Sequence, residues 1–368
     1  MNEVKTPKVV CITNIPSPYR VYLFNKIVER GKIDLTAIYC AKIQDERKWN
    51  VNNLNHKHIF LNTQALAFVH KYFYINTEIW EKLNSINPDI VVTAGIVPTM
   101  LIAWFWAFIK GKKRGLATDS WALTDKNLSK TNKIIKKFIY RNSNIFYPVS
   151  EKGKMNFMSY GVPESNIYKV GYAIDNKYYS SFKDTEKKYD IMFSGQFIDR
   201  KNPVFFCEVA SELKRMRGKI KVLIIGSGEM EREIIEFFKK NSIDYEFPGF
   251  ISPERIPEYY AASRLLLFTT REDAWGVIAN EALAVGVPVI TTPFAGAAEE
   301  LVIDNFNGYI MDFDVMLWAK QINDLLDNDE EYKRLSNNAL SHIDNFSGDI
   351  ASENFENAIF KSINDIEK

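Results

Sequence analysis

What this 368-residue chain has little of narrows its class before any motif is read. Its three cysteines, Cys11, Cys40 and Cys207, fall at no paired spacing, which argues against a disulfide framework or a zinc ligand set. Cys11 and Cys40 lie in apolar runs, so buried structural thiols and a reducing cytoplasm are expected. Of four histidines, His56, His58, His70 and His342, only the first two are close together, in the strand-like run KHIFL. No metal site is expected from them. The net charge is +1, so no global field calls for nucleic acid, and any basic partner surface has to be local. The most apolar run, IVPTMLIAWFWAFI at 96–109, is short of the roughly 20 residues that cross a bilayer. It reads as a core helix or one that docks on a surface. No charged-then-apolar leader opens the sequence, and no short repeat or low-complexity tract interrupts it.

What is present is ordinary globular material, 46% hydrophobic and 25% charged, in a length that suits two domains with a full core each. In the first half, short β-branched runs (VVCIT at 9–13, LTAIYC at 35–40, DIVVTAG at 89–95, KRGLATD at 113–119, IFYPVS at 145–150) alternate with amphipathic stretches. After a polar linker at 176–189 the pattern restarts with DIMFSG, KVLIIGSG, YEFPGF, LLLFTT and VPVITT. Alternation of this kind predicts two α/β, doubly wound parallel sheets with ligands at their strand C-termini. The expected division is 1–178 and 187–346, followed by an amphipathic helix at 347–368.

The densest chemistry lies in TTREDAWGVIANEALAVGVPVITTPFAGAAEELV, 269–302. LLLF reads as a buried strand, the residues after Asp273 as a helix, Gly286 as its end and VPVI as the next strand. Asp273 and Glu281 are then about 12 Å apart at helical rise. First-turn amides beside Asp273 favour a phosphate, and both carboxylates can accept from sugar hydroxyls. The plainer alternative is that Asp273 caps the helix and Glu281 is solvated on its face. Upstream, Arg200 and Lys201 follow the strand DIMFSG and can face a diphosphate, or they are solvated loop charges. Gly226-Ser227-Gly228 closes KVLII in a turn that a phosphate can approach. Tyr259 and Tyr260, adjacent in sequence, read as core and surface of one helix rather than as a stacking platform.

The 269–302 segment resembles the retaining glycosyltransferases of family 4, whose mark is Glu-x7-Glu, then Gly-x-Pro-Val and a glycine turn ending in Glu-Leu-Val. Asp273 stands where the first glutamate is usual, one methylene shorter, and Glu281 matches the second. Lys201 matches the lysine of the family's Gly-Arg-x4-Lys element, while Gln196 replaces its arginine. The resemblance implies a GT-B fold, two Rossmann-like domains facing across a cleft, with the last helix returning to the first. It implies that Asp273, with Glu272 beside it, faces the transferred sugar, and that Glu281 holds the ribose. Glu300 would lie near the sugar or phosphates, with Phe250 and Ile251 near the base. Gln196, Arg200, Gly226 and the turn Ala274, Trp275, Gly276 and Val277 complete the expected donor set. No cofactor or metal is expected, since Lys201 and the amides carry the positive charge.

In the first domain, Pro16 and Pro18 stiffen the loop after the first strand and argue against helix before Tyr19. Similar family members use this loop at the acceptor side, and without a tight glycine pair it makes a poor phosphate cradle, so Pro18, Tyr19 and Arg20 are read as an acceptor wall, with core packing the alternative for Tyr19. Asp119 ends a strand and either assists deprotonation of an acceptor hydroxyl or caps a helix. The segment 126–141, KNLSKTNKIIKKFIYR, is a basic amphipathic helix. It either lies on an anionic membrane face or is a solvated helix over the core. The expected activity is transfer of a sugar from a nucleoside diphosphate sugar to a hydroxyl of a lipid-linked or cell-surface glycan, with retention, in the cytoplasm or at the inner membrane face. A sugar-nucleotide epimerase or hydrolase on the same fold, and a non-catalytic partner of another transferase, are the rivals. A dehydrogenase fits less well, because the first strand leads into TNIPSPYR rather than a glycine-rich dinucleotide turn.

Overall fold

The computed structural model describes residues 6–43, 53–62, 74–126 and 128–364. His70, Asn127 of the basic segment and residues 365–368 of the stretch expected to form the last helix lie outside them. The chain forms two compact units, Met1–Ala173 with Gly348–Lys368, and Ile174–Ser347. The second unit thus takes in 174–178, and the polar stretch read as a linker opens with the helix Asn176–Ser180. Its N-cap Asp175 accepts from the Tyr178 amide and gives the polar run a helical start.

The first unit has six parallel strands, β1 (Lys8–Thr13), β2 (Asp34–Tyr39), β3 (Lys57–Phe60), β4 (Ile90–Thr93), β5 (Lys113–Thr118) and β6 (Ile145–Pro148), in the order β3-β2-β1-β4-β5-β6. Strands buried on both faces read as continuous apolar runs, as VVCI in β1 and IVV in β4 do. The short β3 falls on the KHIFL run. His56 beside it is buried, with Nε2 against Tyr39 Oη at 2.8 Å and Nδ1 against Asn25 Oδ1 at 2.7 Å. Both ring nitrogens are therefore engaged, and burial pushes the ring pKa down to about 4. The first helix, Pro18–Glu29, starts at Pro18 and not after it; the first helical position needs no N–H, so proline fits there.

The helix Gly348–Asn364 belongs to this unit. Ala351, Phe355, Ala358 and Ile359, at helical spacing, enter the core of β1 and β2. Phe355 stacks on Tyr147 with centroids 4.7 Å apart, and Arg30 meets the buried Glu356 at 2.8 Å. Burying Phe355 and Ile359 contributes roughly 2 kcal/mol each.

The second unit repeats the topology with β7 (Tyr189–Gln196), β8 (Lys221–Ser227), β9 (Asp244–Gly249), β10 (Ser263–Phe268), β11 (Val289–Thr291) and β12 (Gly308–Ile310), in the order β12-β11-β10-β7-β8-β9. The short β12 had no period-2 signal to find it. An aromatic-rich cluster around Phe193, Phe205, Phe206 and Trp318 lies in the core. Among the described residues no helix is long and apolar enough to cross a membrane.

Candidate functional site

In each sheet the strand order reverses at the first strand, between β1 and β4 and between β7 and β10. Parallel sheets leave a crevice beyond the strand C-termini at such a point. In the second unit Lys201 follows β7 and Asp273 follows β10, and the two side chains form a largely buried ion pair, at 15% and 11% exposure. Burial works to raise the Asp273 pKa, but the Lys201 ammonium, with Arg200 and the Trp275 amide, outweighs it and holds the carboxyl below its usual range. Asp273 is an anion here, and Lys201 is no solvated loop charge.

The backbone around this pair is closely tied. Thr269 Oγ1 donates to the Lys201 and Asn202 carbonyls, Thr270 Oγ1 to that of Arg200, and the Arg271 amide to the same Arg200 carbonyl at 2.9 Å. Arg200 is exposed and its guanidinium donates to the Glu272 carbonyl at 2.8 Å. Glu272 itself is half-buried.

Asp273 does not cap the following helix, which runs from Val277 to Ala284 with Gly276 at the N-cap. Helical rise therefore does not apply between Asp273 and Glu281, because 274–276 form a turn. That turn is forced by packing: the Asp273 amide donates to the Phe294 carbonyl, and the Gly296 amide donates back to Asp273. Gly276 has φ 102°, and a Cβ there would stand 2.3 Å from the Phe268 ring, over which Lys201 Nζ sits at 5.6 Å. Ala274 is half-buried. Trp275 is 1% exposed and its indole N–H donates to Asn280, so only its backbone is available to a ligand. Its amide already donates to Asp273 Oδ1 at 3.3 Å. Beyond it, the Ala279 amide donates to the Gly276 carbonyl at 2.9 Å, and those of Val277 and Ile278 stand at the helix start, where backbone amides lack an intrahelical acceptor.

Glu281 is half-buried, and Tyr179 donates to it at 3.2 Å, with Tyr260 beside it. Burial pushes its pKa up to about 7, against the pull of the two hydroxyls. A merely solvated glutamate would have neither neighbour. Gln196 ends β7 in register with Ser227, and Gly195 with Gly226. Phe250 is exposed, Ile251 buried. Glu300 is half-buried, and its carbonyl accepts from His342 Nε2 at 2.9 Å.

In the first unit, a cavity of about 40 Å³ lies at the switch point of the sheet, lined among others by Thr13, Tyr19, Arg20, Thr118 and Tyr172. Arg20 reaches the Tyr172 hydroxyl at 3.5 Å, and that hydroxyl donates to Asp119 at 3.2 Å. The Tyr19 ring packs on Tyr172 at 4.2 Å. Asp119 is thus held by Tyr172 rather than capping the helix Ala122–Asp125, whose N-cap is Trp121. Pro18 starts its helix. Buried Ser17 Oγ and Thr93 Oγ1, with Asn14 Oδ1, have no hydrogen-bond partner among the described residues. Such groups cost about 1–3 kcal/mol each unless a ligand or water meets them. The parts played by Tyr172 and Tyr179, two of 18 tyrosines with no motif around them, were not legible, and Tyr260 read only as part of a helix.

Residues 176–342 match the family model of the glycosyl transferases group 1. A 163-residue stretch, 44% of the chain, is 26% identical to the alpha-1,4-N-acetyl-D-galactosaminyltransferase of Campylobacter jejuni that acts on an undecaprenol-linked glycan. The match covers 45% of that enzyme, so the chain spans less than half the length of this curated relative. Among solved structures, Anabaena HepE in complex with UDP-glucose matches with a TM-score of 0.76 at 14% identity, over 96% of this chain and all of the other. A putative UDP-N-acetylglucosamine 2-epimerase of Listeria monocytogenes matches with a TM-score of 0.70 at 14% identity, over 98% of each chain. The fold is therefore α/β of GT-B type, and fold alone does not separate transfer from epimerisation.

Proposed function

We propose that the chain is a glycosyltransferase that moves a sugar, with retention, from a nucleoside diphosphate sugar to a hydroxyl of a lipid-linked or cell-surface glycan, without a metal and in the cytoplasm. The observation that carries this reading is the buried Lys201–Asp273 pair at the switch point of the second sheet. A dry cation beside open helix amides stabilises charge that develops on a leaving diphosphate, and preorganised charge of this kind is often the largest catalytic term. Asp273, kept anionic, accepts from the sugar. Glu281, with Tyr179 and Tyr260, suits a pair of vicinal ribose hydroxyls. The N-acetylgalactosaminyl relative and its undecaprenol-linked substrate support the acceptor class.

Acceptor recognition is assigned to the first unit. Asp119 is oriented by Tyr172 to take a hydroxyl proton in a hydrogen bond, and Arg20 balances its charge. In front-face transfer the leaving phosphate oxygen removes the acceptor proton, so no protein nucleophile is required. The test is a donor screen by thermal shift followed by transfer of labelled sugar to an extracted lipid-linked glycan pool, with and without chelator. Stabilisation by one donor and acceptor-dependent consumption are expected. Donor consumed equally without acceptor would establish the epimerase or hydrolase reading; binding with no turnover would establish a non-catalytic role.

A further inference from the structure

The helix Lys130–Arg141 buries Ile139 and Tyr140 in the core of the first unit but leaves most of its apolar side chains outside. Its inward side also carries Lys136, whose ammonium pairs with buried Asp125 and donates to Ser120 Oγ at 3.0 Å. Asp125 also accepts from Asn156 at 2.9 Å. Ile134, Ile135 and Phe138 are instead 69%, 42% and 50% exposed. The neighbouring helix Pro98–Ile109 does the same with Phe105, Phe108 and Ile109, 50%, 39% and 58% exposed at i, i+3 and i+4. Trp104 joins the two rows, stacked on Phe108 at 5.5 Å and edge-on to Phe138 at 6.1 Å. Solvation does not explain this pattern, because the helix is already seated by Ile139, Tyr140 and the Lys136 network, and Ile134, Ile135 and Phe138 remain outside in addition.

Charge specifies what covers the patch. Between residues 98 and 141 there are ten Lys and Arg, against two Asp and no Glu, in a chain whose net charge is only +1. Both acids are occupied, Asp125 by Lys136 and Asp119 by Tyr172. Lys130, Lys133, Lys137 and Arg141 are exposed on the same helix as Ile134 and Phe138. Bulky apolar groups flanked by unopposed cations suit an anionic bilayer surface, where rings enter the acyl boundary and ammonium groups meet headgroups. We infer that this two-helix face docks the protein on an anionic membrane without crossing it. The inference uses no residue of the donor site, and it stands or falls apart from the transferase reading.

The test is flotation of the full chain, without donor, on phosphatidylglycerol and on pure phosphatidylcholine vesicles. Binding to the first, weakening with salt, and little to the second are expected. Phe105→Ser with Phe108→Ser and Phe138→Ser should lower partitioning on the order of tenfold or more, and Lys133→Glu with Lys137→Glu by a similar factor. Ile134→Ser alone, at the most exposed position, gives a smaller loss and guards against misfolding of the triple variant. Thermal unfolding of each variant is followed alongside. Wild type that ignores phosphatidylglycerol, or an Ile134→Ser chain and a folded triple variant that float as wild type does, would overturn the inference. So would self-association that the same substitutions abolish, with no vesicle binding, which would make the occupant a second copy.

Discussion

The two sheets share one strand order, yet their equivalent strand ends are built from opposite materials. β7 and β8 carry Gly195 and Gly226 one residue before their ends, in register and with φ of 146° and 138°. β1 and β2 end at Thr13 and Tyr39, followed by a proline-aromatic loop and backed by unpartnered polar groups of Asn14, Ser17 and Thr93. A glycine edge exposes backbone, which suits an oxyanion that wants amides. An edge of hydroxyls, a guanidinium and tyrosines suits a ligand that is itself a set of hydroxyls. One topology thus supports two chemistries, set by what replaces the side chain at a few strand termini.

The severest way to break this contrast is Gly226→Ala. A Cβ at Gly226 would lie 1.8 Å from the Gly195 carbonyl oxygen, and neither backbone can yield without losing the β7–β8 register. A loss of about 3 kcal/mol or more is expected by thermal unfolding. Gly31→Ala in the first unit, where φ is 67° but the space is open, should cost only about 1 kcal/mol. Equal costs would mean that the close approach of β7 and β8 is not what holds the edge.

Next in size is Lys201→Met, which strands the Asp273 carboxylate. Breaking a buried pair costs about 3 kcal/mol, and loss of the cation should lower transfer about 10²-fold or more. Adding Asp273→Asn should restore most of the stability and none of the activity. Recovery of both would reduce the pair to a structural tie.

How much of this was legible follows the same division. Element order and most strands could be read, because runs such as VVCI and LLLF are buried on both faces and carry no competing period. The 269–302 segment was legible through residue types at fixed spacing, but its geometry was not: the turn 274–276 is imposed by Phe294, Gly296 and the Phe268 ring, none of which local pattern ties to Asp273. The first unit was harder. Tyr172 lies 53 residues from Asp119, and only the fold brings them together. The basic helix was legible as amphipathic but not which way it faced, since that depends on Lys136 finding Asp125.

A smaller effect comes from pH. Glu281 titrates near 7 in the folded chain rather than at its ordinary value near 4.5. The folded state therefore binds more protons than the unfolded state between about pH 4.5 and 7, and the stability that this contributes is lost as pH rises through 7. After allowance for partial exposure the loss is about 1–2 kcal/mol. Donor affinity should move the opposite way, since the ionised carboxylate accepts better from ribose. Glu281→Gln should flatten both trends in unfolding and calorimetric titrations. A stability slope without an affinity slope would detach Glu281 from the donor.

The smallest expected effect is the most selective. Tyr172→Phe keeps the ring on Tyr19, at 4.2 Å, and removes only the hydroxyl that donates to Asp119 and lies beside Arg20. Its cost in stability should stay within about 1 kcal/mol, the net worth of one hydrogen bond. If the first unit reads the acceptor, an Asp119 carboxylate freed to rotate should raise the acceptor KM roughly fivefold, while donor KM and nucleotide binding stay as in wild type. Should the donor constants move instead, the hydroxyl-lined edge would be serving the nucleotide, and the division of chemistry between the two sheets would be wrong.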